Sequence, residues 1–127
     1  MENKVFTLHK TVTEADAAAH VGSGSLPVLA TPVLIAWMEA AACGCCAERL
    51  EEGATSVGTE MNMRHTAASP VGMRVTVTAE LTAAEGRILS FKVYAEDTAG
   101  AIGEGSHTRA IIRAERFMEK TNAKLAQ

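Results

Sequence analysis

The chain has 127 residues, close to the common size of a single domain, with 47% hydrophobic and 21% charged residues and a mean hydropathy of +0.07, the balance of a globular protein. A net charge of −3 and a pI near 5.8 exclude the basic footprint that a nucleic-acid or anionic-membrane surface requires. Aromatic residues make up only 4%, so the core has to come from Ala, Val, Leu, Ile and Met.

In chain order, Lys4–Val12 reads as a short strand. Thr13–Ala30 is irregular, and its Gly22-Ser23-Gly24-Ser25 centre has the composition of a mobile linker. Thr31-Pro32 then offers an N-cap oxygen followed by the residue best tolerated at the first helical position, which predicts a helix from Thr31 to about Glu52, ended by Gly53. The apolar run Ala30–Ala47 is barely long enough to span a bilayer, and Glu39 at its centre would cost about 2.5–3.5 kcal/mol there, so a buried helix of a soluble protein is expected. After Gly53 the hydrophobic period changes from that of a helix to that of a strand. Thr55–Ala67 is predicted as the first long strand, closed by Pro70 and Gly72. "MRVTVTAELTA" alternates, with Val75, Val77, Ala79 and Leu81 on one face and Arg74, Thr76, Thr78, Glu80 and Thr82 on the other. Ala84–Arg87 is a hairpin turn, "ILSFKVYAED" points Leu89, Phe91, Val93 and Ala95 inward, and Asp97–Gly100 turns the chain into a last strand over Ala101–Arg113. The polar tail Ala114–Gln127 reads as a short, fraying helix.

Strand, long apolar helix, then four strands joined by short turns describes an α+β domain covering residues 1–127. A single antiparallel sheet of about five strands has one apolar face and must wrap the helix to bury it, the hotdog arrangement. Such a sheet keeps an open edge, so at least a homodimer is expected. No basic-then-apolar segment opens the sequence and no secretory signal is expected. The three cysteines, Cys43, Cys45 and Cys46, are odd in number and adjacent, which suits a reduced cytoplasmic protein. Positions two apart on a helix diverge, so these thiols are read as packing groups and not as metal ligands. No phosphate-binding glycine loop and no G-x-S-x-G elbow is present.

Glu39 is the residue that needs explaining. It lies among Ala36, Trp37, Met38, Ala40, Ala41 and Ala42, with no partner on its own helix. A surface position or a buried Arg would account for it structurally. A carboxylate held in an apolar wall would instead have its pKa raised by desolvation, as a catalytic acid or base does. His65 ends an alternating segment just before a turn, where sites are commonly assembled. Thr31 lies at a helix N-terminus, whose positive field suits an oxyanion or a nucleophile. His9, His20 and His107 have no context that marks them out.

"ATPVLIAWMEAAA", "VGTEMNMRHTAASPVGMRVTVTAEL" and "GSHTRAIIRAERF" together resemble the fluoroacetyl-CoA thioesterase-like family of hotdog proteins, over about Lys10 to Phe117 and without a gap. The resemblance implies hydrolysis of an acyl-CoA thioester without a metal or other cofactor beyond the CoA of the substrate. It places the catalytic Thr, Glu and His on Thr31, Glu39 and His65, and substrate-contacting Gly and Arg on Gly58 and Arg109. The family's fluoroacetyl specialist carries aromatic gate residues before its helix. Here the stretch is "HVGSGSLP", without an aromatic, so the reading is of an acyl-CoA or aryl-CoA thioesterase with a small or aromatic acyl group. The alternative is a non-catalytic acyl-CoA or small-ligand binder on the same fold; a hotdog hydratase fits less well, since those enzymes carry an Asp/His pair at another spacing.

In the resemblance's terms Glu39 would activate water or attack directly, His65 would manage the proton, Thr31 would orient a reacting group, and helix N-terminal amides would receive the oxyanion. Eight helical residues span about 12 Å, so Thr31 and Glu39 of one chain cannot touch. A site shared between two chains is the expectation.

Overall fold

The computed structural model describes residues 4–126. Strands β1 (Lys4–Thr11), β2 (Ala54–His65), β3 (Arg74–Glu85), β4 (Ile88–Asp97) and β5 (Gly100–Arg113) form one antiparallel sheet in the order β1-β3-β4-β5-β2. Helix α1 (Ala18–Val21) lies in the connection after β1, the long α2 (Thr31–Cys46) packs on the concave face, and α3 (Ala114–Asn122) follows β5. This is the hotdog architecture that the alternating strands predict.

The predicted inward residues Val75, Val77, Ala79, Leu81, Leu89, Phe91, Val93 and Ala95 are all buried. They meet Leu34, Trp37, Met38, Ala41, Ala42, Cys45 and Cys46 of α2 in a single core. Thr78, expected on the wet face, is buried too, because it lies between Thr7 of β1, whose Oγ1 is 3.2 Å away, and Tyr94 of β4. Cys45 and Cys46 pack as expected, whereas Cys43 is exposed, and all three are free thiols.

Four expectations change. The helix ends at Cys46, not near Glu52, and tightens into a 3-10 turn over Ala47–Arg49. Glu48, Arg49, Glu51 and Glu52 lie in solvent, so a further helical turn would bury almost nothing and gain little. Thr31 is not the N-cap: Ala30 is, and no side chain caps the helix. Thr13–Ala30 is folded rather than irregular. The Ala17–Leu29 and Val28–Pro70 bridges and the Ala18 N–H to Val28 O bond of 2.8 Å close it, leaving an exposed tip at residues 22–26. Finally, the hairpin turn is the two residues Gly86-Arg87, with Gly86 at a φ of 61° that suits glycine. The tail is helical over Ala114–Asn122 and continues as a 3-10 turn over Ala123–Ala126, while Gln127 lies outside the described residues.

Edge strand β2 positions the site. Its pairing with β5 shifts between Gly58 and Glu60, leaving Thr59 as a bulge. An extra residue reverses side-chain parity along a strand. Ser56 and Gly58 therefore face α2 before the bulge, and Met61, Met63 and His65 face it after, opposite Ile111, Arg109, His107, Gly105 and Gly103 of β5. Gly105 allows the close approach there, since a Cβ would overlap Asn62 O and the Met63 backbone.

Candidate active site

The predicted residues fall into two groups. At the start of α2, Thr31 Oγ1 lies 2.8 Å from His65 Nδ1 at the end of β2. The hydroxyl is used on the histidine instead of on its own helix. Pro32 has no N–H, and Val33 and Leu34 both donate to Ala30 O, so the Thr31 N–H is the free amide of the helix start, donating to no group among the described residues. Pointing into protein, the His65 Nε2 is buried and has no hydrogen-bond partner among the described residues. Beside the pair opens a cleft of about 290 Å³, lined by Ala18, Ser23, Val28, Leu29 and Ala67 among others.

The second group lies further along α2. Arg109, 6% exposed on β5, donates from Nε to Ser56 Oγ at 2.8 Å and from Nη2 to Ser56 O at 3.0 Å. Its Nη1 reaches Glu39 Oε2 at 3.3 Å. Glu39 is thus neither unpaired nor entombed: its partner is 70 residues away in sequence and its side chain is 41% exposed in the single protomer. The apolar wall anticipated around it is absent. Gly58 makes the room, because a Cβ there would lie 2.5 Å from Glu39 Oε2 and 3.3 Å from Arg109 Nη1.

One chain does not join the two groups. Glu39 is about 12 Å along the helix from Thr31, and Gly58 is about 23 Å along β2 from His65 at 3.3 Å per residue. Gly58 and Arg109, the substrate contacts that the resemblance implies, sit against Glu39 rather than against the cleft beside His65.

His107, not among the candidate residues above, belongs to the second group. Its Nδ1 is 2.7 Å from Glu60 O and its Nε2 is 3.2 Å from Arg109 Nη1. The spacing in "HTR" held the signal: residues two apart on a strand share a face, so His107 had to lie beside Arg109.

Both inward histidines have pKa values pushed below the ordinary 6.5. Burial lowers that of His65, with backbone hydrogen bonding at Ala67 opposing it. Burial lowers that of His107 as well; the Glu60 backbone bond raises it, the Arg109 cation lowers it, and Glu39 raises it. Between 6.5 and these lowered values the unfolded chain binds protons that the folded chain does not. Their contribution to stability is therefore complete above pH 6.5 and declines as the pH falls below it. The thermal midpoint should be lower at pH 5.5 than at pH 7, and a midpoint that rises on that acidification would contradict the assignment.

Residues 12–115 match the model of a family described as fluoroacetyl-CoA-specific thioesterase. The chain belongs to that family. The fluoroacetyl-CoA thioesterase of Streptantibioticus cattleyicolor is 42% identical over 116 residues, which cover 91% of this chain and 84% of that protein. The solved structure of the fluoroacetyl-CoA thioesterase FlK superposes with a TM-score of 0.92 at 39% identity, over 98% of this chain and 97% of that one. A variant of FlK in complex with fluoroacetate and CoA superposes at 0.87 and 39% identity, over 92% and 99%. A thioesterase superfamily member from Thermus thermophilus superposes at 0.88 with 27% identity, over 100% and 97%. Membership of the fluoroacetyl-CoA-specific thioesterase family puts the chain among the hotdog thioester hydrolases, with acyl-CoA as the substrate class. Among the described residues no helix is long and apolar enough to cross a membrane.

Proposed function

We propose that this protein hydrolyses small or aromatic acyl-CoA thioesters in the cytoplasm, at a site in which Thr31 and His65 of one protomer meet Glu39 of the partner subunit. The observation that carries this reading is the Thr31 Oγ1–His65 Nδ1 pair of 2.8 Å beside an open cleft, about 12 Å along α2 from a half-exposed Glu39. The His65 Nε2, closed off from solvent in the single protomer, turns towards a carboxylate of the second copy when the two dock. Glu39 is half-exposed, with one oxygen held by Arg109, and leaves the other free for that contact.

With Nε2–H donated to that carboxylate, Nδ1 is the basic nitrogen, and it faces the Thr31 hydroxyl. A water bound at Thr31 gives up its proton through the hydroxyl to Nδ1, and the resulting hydroxide adds to the thioester carbonyl. The oxyanion lies by the Thr31 N–H at the positive end of α2. Collapse breaks the C–S bond, and the proton on His65 goes to the departing CoA thiolate. No step requires a metal.

The cleft beside His65 is lined by small side chains and its exposed tip, residues 22–26, has no aromatic residue. The aromatic gate is absent, so the reading extends to short, branched and aromatic acyl groups. Thiol release from a panel of such acyl-CoAs by the wild type, with Glu39→Gln and His65→Ala as controls, tests the reading. Turnover lost in both variants is expected; binding without turnover by the wild type would overturn it in favour of an acyl-CoA binder.

A further inference from the structure

His107 is a buried titratable group, 2% exposed, that the hydrolytic steps above do not use. It faces α2 from the middle of β5, paired with Met61 of β2 and Phe91 of β4, whose ring centroid is 6.0 Å away. The charged groups turned towards it are Arg109 from its own strand and Glu39 from α2; β2 presents only the Glu60 carbonyl and the bare face of Gly58.

Both ring nitrogens are committed, and the chemistry of the partners fixes the tautomer. A guanidinium has only donors, so Nε2 must accept from Arg109 Nη1 at 3.2 Å. A neutral ring then carries its hydrogen on Nδ1, which donates to Glu60 O at 2.7 Å. The same Nη1 donates to Glu39 Oε2 at 3.3 Å, so its two hydrogens are shared between the histidine and the carboxylate. Glu60 is the residue directly after the bulged Thr59, which sets the parity that turns His65 inward.

We infer that His107, as its neutral Nδ1–H tautomer, is a positioning residue that aims Arg109 at Glu39 and ties that pair to the β2 bulge. The role rests on the hydrolytic reading for its effect on rate, while the tautomer itself does not. Protonation would turn Nε2 into a donor facing a donor, beside a second cation in a buried place, and Arg109 would lose its aim. Acid therefore acts twice on turnover, once at His65 and once at His107.

The test compares His107→Phe, which keeps a ring against Phe91 without polar atoms, and His107→Gln, which restores an acceptor and does not titrate. His107→Phe is expected to lower kcat at least tenfold with KM changed less than threefold, and His107→Gln to recover most of that loss. Below pH 6.5 the wild-type log kcat should steepen towards a slope of two, and that of His107→Gln should stay near one. Side-chain 15N spectra of the wild type should show His107 protonated on Nδ1 at neutral pH. An Nε2–H tautomer overturns the inference whether or not the enzyme turns over. So does a folded His107→Phe with wild-type kcat, or a slope unchanged in His107→Gln. If the wild type hydrolyses no acyl-CoA, the hydrolytic reading fails and the spectra alone decide the tautomer; if His107→Phe does not fold, the Gln variant and the spectra decide.

Discussion

Glu39→Gln is expected to lower kcat for acyl-CoA hydrolysis by about 10²- to 10⁴-fold, the range for losing a group that takes part in proton transfer. The amide keeps the shape of the carboxylate and still accepts from Arg109 Nη1, now 3.3 Å from Glu39 Oε2, so position is retained and charge is lost. In the proposed mechanism, what disappears is the anion that stabilises a positive His65 once it has taken the proton. KM should change little, since Glu39 is not called on to hold the CoA portion. Stability is a separate matter. Arg109 is only 6% exposed, and removing its counter-charge leaves a buried cation with neutral acceptors only. The exposure of the Glu39 side chain, 41%, keeps that cost to a modest drop in the thermal midpoint. Steady-state kinetics and a melting curve on the same preparation separate the two effects. A variant that melts like the wild type and hydrolyses like it would remove Glu39 from the chemistry.

The strands were legible because each states its own burial: one face of β3 and one of β4 are written as alternate apolar letters, and period two admits a single sheet. Glu39, Thr31 and His65 stand out partly as chemical oddities and chiefly through the resemblance. Their partners were not legible in the same way. Arg109 is 70 residues from Glu39, and His107 is 47 from Glu60. The local sequence contains nothing that selects one long-range partner over another. The bulge at Thr59 hid the rest, because a simple alternation through Thr55–Ala67 cannot bring both Gly58 and His65 to the same face. Thr31 misled for a related reason. A hydroxyl before a helical proline is the usual sign of an N-cap, yet here a histidine brought in by β2 competes for it and wins. The helix end failed on energetics: four charged residues beyond Cys46 had no apolar surface to bury against.

Two inactive proteins should make an active one. If Thr31 and His65 of one protomer work with Glu39 of the other, the Thr31→Ala and Glu39→Gln homodimers each have two damaged sites. A mixed dimer has one site carrying both substitutions and one carrying neither, since a two-fold operator exchanges the contributions symmetrically. Random reassortment at equal concentrations makes about half the dimers mixed, each with one intact site of two, so about a quarter of wild-type activity should return. The geometry that would permit this is a pairing of edge strand β2 with its own copy, which also covers an open row of backbone groups. To bring the partner's Gly58, and with it the partner's Glu39, opposite His65, the two-fold axis must pass near Met61 and Asn62, midway between positions 58 and 65. A site contained within one chain predicts a different number. Every site in every dimer would then be damaged, and mixing would restore nothing. Co-expression with two affinity tags isolates the mixed species, so the count of intact sites is known before the assay. Mixed dimers with no more thiol release than either parent would end the shared-site proposal.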